Sequence, residues 1–174
     1  MSKVHCRQCL ALELALEFPP EHALVYALSA GGVEVASAIA FFQGEPITWL
    51  QAHELSDAVA ARPEVAGRAV LLVDDGLARL DEMLAAALAL RNGNPARLHV
   101  ITPWLNRTAL ARIGRVADVV TTMMIRPPRR VPYDEPADPE AAACFVRQAE
   151  ELHRAVALDD AFRGESGFLQ ESYH

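Results

Sequence analysis

Gly67-Arg-Ala-Val-Leu-Leu-Val-Asp-Asp-Gly76 is the stretch whose reading decides the fold. Val70 to Val73 are apolar without alternation. A strand with no polar side must be covered on both faces, which is the signature of a parallel sheet between helix layers. Asp74-Asp75-Gly76 then turns the chain, and Leu77 to Leu90 predicts a helix. The same alternation extends outward in both directions. Ala23–Leu28, Pro46–Leu50, Leu98–Thr102 and Ala117–Met124 read as strands. Arg7–Phe18, closed by Pro19-Pro20, Val33–Phe42 and Asn106–Ile113 read as helices, and residues 51–62 carry a weaker helical pattern. Asp138 before Pro139 is an N-cap followed by proline at the first helical position, so a helix is predicted from Pro139 to about Leu158. The expectation is one α/β domain over residues 1–158, doubly wound and three-layered, with a mainly parallel five-stranded sheet, and a tail over 159–174.

Composition narrows the function. The chain has 174 residues, a formal net charge of −7 and 52% hydrophobic residues, which excludes a disordered chain and argues against nucleic acid as a partner. Lys3 is the only lysine. This removes a Walker A lysine and a Schiff-base lysine. Three cysteines do not make a disulfide framework. No apolar stretch reaches the roughly 20 residues a membrane helix needs, so no membrane partner is expected and a cytoplasmic setting is.

Ligands of doubly wound folds sit beyond the carboxyl ends of the strands. The turns to interrogate are therefore Ser29–Gly32, Gln51–Glu54, Asp74–Glu82, Pro103–Asn106 and Arg126–Arg130. Val70-Leu-Leu-Val-Asp-Asp-Gly-Leu-Ala78 resembles the phosphoribosyl-pyrophosphate motif of type I phosphoribosyltransferases, in which apolar strand residues lead into two acidic residues and a phosphate loop. Ala27-Leu-Ser-Ala-Gly-Gly-Val-Glu-Val-Ala36 is similar to the family's first strand, pyrophosphate loop and following helix. The resemblance implies a ribose-phosphate or nucleotide-like ligand at Asp74, Asp75, Gly76, Ala78, Arg79, Gly31 and Gly32. It implies Mg²⁺ only where that site is active, and a homodimer.

The departures from the family pattern bear on activity. Arg79, Leu80, Asp81 and Glu82 stand where the phosphate loop has threonine and glycine, and Ala30 stands where the pyrophosphate loop has arginine. Two carboxylates replace hydroxyl donors, and side chains replace the glycine that lets backbone N–H groups approach a phosphate. The connection from Leu50 to Val70 is too short for the family's long catalytic loop. Read locally, the segment is an ordinary helix start. Leu77, Leu80, Leu84 and Leu88 would form one apolar face, Asp81 and Glu82 would favour the helix dipole, Asp75 would cap, and Asp74 would be solvated.

Other residues make weaker candidate sites. Cys6-Arg-Gln-Cys9 with His5 is half a zinc site, which Cys144 and His153 complete only if the terminal helices lie side by side; small core cysteines are the simpler reading, and no metal site is expected. Ser29 beside Gly31-Gly32 lacks the Gly-x-Ser-x-Gly spacing of a hydrolase, and His22, His53 and His99 have no acid partner in sequence. A receiver-domain reading of the acidic pair fails for want of a later lysine. Arg126, Arg129 and Arg130 border the ligand edge and are candidates for anion binding or an acidic partner.

The sequence thus supports a phosphoribosyltransferase-like protein with degenerate phosphate loops and a binding, regulatory or scaffolding role. An active phosphoribosyltransferase with an altered loop, and an interaction protein without a small ligand, are the alternatives.

Overall fold

The structure, a computed structural model, describes residues 22–50, 63–76, 80–125 and 137–168. Five strands alternate with helices: β1 (Leu24–Ala27), α1 (Ala30–Gln43), β2 (Ile47–Trp49), β3 (Ala69–Val73), α2 (Leu80–Asn92), β4 (Arg97–Leu105), α3 (Arg107–Ile113), β5 (Val119–Ile125) and α4 (Pro139–Phe168). A 3-10 turn, Pro63–Val65, precedes β3. All pairings are parallel, in the order β2-β1-β3-β4-β5.

The pleat sorts the apolar run of β3 between two cores. Val70 and Leu72 face a cluster with Tyr26, Leu98 and Val100, roofed by Met83, Ala86, Ala87 and Leu90 of α2 and by Ala109 and Ile113 of α3. Leu71 and Val73 face the other side, with Val25, Ala27 and Ile101, under Val33, Ala36 and Ile39 of α1 and Ala142 and Ala149 of α4. These two clusters make three layers, and they are why neither side of the strand tolerates a polar residue. Small helix residues let α1 and α4 sit close on the sheet, so aromatics are not needed to fill the core.

Three elements differ from the sequence reading. β4 continues through Pro103 to Leu105. Beyond Ile101 it is paired only with β5, so the missing N–H of Pro103 costs no ladder bond on its open side. α4 runs to Phe168, where the sequence has it end near Leu158. The buried face of α2 is Met83, Ala86, Ala87 and Leu90, while Leu88 is 49% exposed and Leu80 and Leu84 are half-buried flanks. Steps of four residues overshoot the 3.6-residue turn, so the leucine stripe drifts off the sheet. Leu77, and the predicted helices 7–18 and 51–62, lie outside the described residues.

Candidate functional site at the strand-order reversal

The sheet order reverses between β1 and β3, with β2 on one side and β3, β4 and β5 on the other. α1 leaves β1 toward one face and α2 follows β3 on the other. The crevice between such helices is where doubly wound folds hold ligands. Ladder bonds carry past the strand ends and fix the turns there: Leu28 N donates to Val73 O at 3.0 Å, and Asp74 N to Ile101 O at 3.0 Å.

In that crevice the turns after β1 and β3 are joined by their own side chains. Ser29 is the N-cap of α1. Its Oγ accepts from Gly32 N at 2.9 Å and donates to Asp74 Oδ1 at 2.9 Å. The other oxygen of Asp74, Oδ2, accepts from Gly76 N at 2.7 Å. Asp74 is fully buried and Asp75 is 2% exposed. The Asp75 carboxylate lies against Gly31 so closely that a Cβ there would overlap it. It therefore occupies the first turn of α1, where the helix dipole and unpaired N–H groups favour an anion. Gly76 adopts φ +85°, and a Cβ on it would overlap the Trp104 ring.

This geometry corrects the local reading of the acidic pair. Asp75 is not the cap of α2, whose first residue is Leu80, and Asp74 is not a solvated turn residue. Both carboxylates are part of the crevice. Asp81 is exposed, as a helix-start acid should be, and Glu82 is half-buried. Gly31, Gly32, Asp74, Asp75 and Gly76 come together; Ala78, Arg79, Arg126, Arg129 and Arg130 lie outside the described residues. Sequence reasoning placed Trp104 in a turn, Pro103–Asn106, because it ends β4 before Pro103, and so missed its packing on Gly76. It also missed Ser29 as the link to Asp74; a serine at the cap before two glycines was the available signal.

The remaining candidates lie elsewhere. His99 is in the middle of β4, paired with Leu71 and Val119, and its Nε2 is 2.8 Å from Thr121 Oγ1. Burial, with a smaller contribution from Arg97, holds its pKa down at about 4, so it is neutral near pH 7. His153 bonds the carbonyl of Gly44 through Nδ1 at 2.7 Å, with the ring nitrogen donating, which ties α4 to the end of α1. Cys144 is half-buried, and Cys6, Cys9, His5 and His53 lie outside the described residues. Among the described residues no cluster of three or more His, Cys, Asp and Glu could hold a metal ion, and no helix is long and apolar enough to cross a membrane.

No family model and no curated protein matches the chain. Among solved structures, the chain is similar to TT1426 from Thermus thermophilus, at 20% identity and a TM-score of 0.61. The match covers 83% of this chain and 96% of that one, and it extends the likeness of fold to nearly all of that protein.

Proposed function

We propose that the chain is a phosphoribosyltransferase-like protein that does not catalyse phosphoribosyl transfer and serves as a binding, regulatory or scaffolding protein. The observation that carries this reading is the Asp75 carboxylate packed against Gly31. A pyrophosphate-binding loop needs a bare backbone and a positive helix end for its anion. Here the protein's own carboxylate stands at that helix end, and the Gly32 N–H is spent on Ser29 Oγ. An incoming phosphate would meet a negative group about 4 Å away, a repulsion of ~1 kcal/mol per charge pair in water and more where water is excluded. Both oxygens of Asp74 already accept from Ser29 and Gly76, which favours a structural task for the pair.

The test is calorimetric titration of the protein with phosphoribosyl pyrophosphate and Mg²⁺, followed by an assay for released pyrophosphate with common bases. Neither binding heat nor turnover is expected. Release at an enzyme-like rate, lost in Asp74→Asn, would establish the active-transferase alternative instead.

A further inference from the structure

α4 is longer than the layer it belongs to. α1 has 14 residues and α4 has 30, about 21 Å of helix against about 45 Å. Both helices follow strands of one parallel sheet and cover the same face, so they run side by side in the same direction. α1 is capped by Gly44, whose carbonyl is bonded by His153 and whose Cα is bordered by Val156. Every residue from Arg154 to Leu158 is exposed. The end of α4, from Val156 to Phe168, therefore projects past α1 by about 18 Å. A helix that short is marginal alone in water and is held by packing.

The same two helices leave a surface uncovered. Between them runs an apolar groove of about 430 Å³, walled by Phe41 and Phe42 on one side and Phe145 and Leu152 on the other. Among the described residues none that lines it is charged. Phe41 is 65% and Phe42 49% exposed, with their rings edge to face at a 5.8 Å centroid distance. Adjacent exposed aromatics bordering an apolar trough mark a surface that something covers.

We propose that the protein is a two-fold dimer in which the projecting end of α4, Val156–Phe168, lies in the α1/α4 groove of the second copy. The lengths match. Along α4, Cys144 to Val156 flanks the groove and Val156 to Phe168 projects, each a rise of about 18 Å. An antiparallel crossing of the two α4 helices at Val156 thus lays each projecting end along the other copy's groove, and a single two-fold axis fills both. The inserted end runs opposite to α1 and α4, which sets their helix dipoles favourably. The charges match at this register too. Glu165 stands level with Arg147 of the second copy, and Arg163 is within one residue of the level of Glu150; Arg147 and Glu150 are both exposed. Opposite signs then meet at the rim of an uncharged trough, which fixes the register of the pair.

Sedimentation equilibrium of the full chain tests this. A dimer is expected. Phe41→Asp, at an exposed position outside the core, should weaken it at least tenfold while circular dichroism stays that of the parent. Arg147→Glu and Glu165→Arg should each weaken it severalfold, since each homodimer then sets like charges together at two symmetric places. Mixed in equal amounts, these two variants should regain the parent's affinity as a heterodimer, because both places then join opposite charges. Arg107→Glu, on α3 in the other helix layer, should leave association unchanged. A parent chain that stays monomeric over the whole concentration range would overturn the proposal and leave the groove to its own chain or to an apolar ligand. A dimer untouched by Phe41→Asp would overturn it by placing the interface elsewhere. So would a mixture of the two charge variants that associates no better than either alone.

Discussion

Asp74-Asp75 and Asp81-Glu82 are two acidic pairs with five residues between them, and the molecule treats them in opposite ways. The first pair is buried and bonded across the crevice to the turn after β1. The second begins α2, and Asp81 is 76% exposed, with Arg112 Nη1 3.9 Å away. Residue type and spacing are nearly the same. The difference arises from what arrives from 45 residues upstream, where Ser29 and Gly31 meet the β3 turn. A carboxylate at a helix start is an ordinary dipole partner; one held by two turns of a parallel sheet is part of that sheet's integrity.

Removing Asp74 should produce the largest effect. Asp74→Ala deletes the acceptor of both Ser29 Oγ and Gly76 N. Hydrogen bonds to a charged group contribute about 1.5–3 kcal/mol each, so a loss of about 3 kcal/mol or more is expected in urea unfolding. A loss below ~1 kcal/mol, with normal folding, would show that the buried pair is no more structural than the exposed one.

The close approach at Gly31 gives the next test. Gly31→Ala forces the buried Asp75 carboxylate to move, with a cost of about 1–3 kcal/mol typical of overpacking. In an Asp75→Ala background the overlap with the carboxylate is gone and only the Cβ of residue 75 stays close, at 3.0 Å, while a helix glycine is removed, so the same change should cost less than about 1 kcal/mol. The drop in cost is the measurement. Equal costs in both backgrounds would mean that Asp75 does not occupy the start of α1.

The fold is far more legible in the sequence than the crevice. Val70–Val73 reads as a buried strand from its composition alone, because an unbroken apolar run admits few other placements. Pro103 hides the end of β4, since a proline is a strand breaker unless one side of the strand is open, and openness is a property of the sheet order. The α2 face is under-determined for another reason: alanine and leucine occur all round Leu80–Leu90, so periodicity cannot select the side. Asp74 and Asp75 are visible as residues of interest, but their burial depends on Ser29 and Gly31. No local pattern encodes a contact between two turns so far apart in the chain.

Asp81→Asn should produce the smallest effect, and salt makes it diagnostic. The carboxylate contributes through the dipole of α2, about 0.3–1 kcal/mol at low ionic strength. Its pairing with Arg112, at 3.9 Å between groups that are 52% and 76% exposed, adds little more. Both contributions act through water. At 1 M salt the screening length falls to about 3 Å, shorter than that separation, so the cost of Asp81→Asn should vanish. The cost of Asp74→Ala should persist, since its hydrogen bonds are short and enclosed. Urea midpoints of the two variants at low and high salt compare the pairs directly. If both costs faded together, the two acidic pairs would be equally solvated, and the distinction between crevice and helix start would fail.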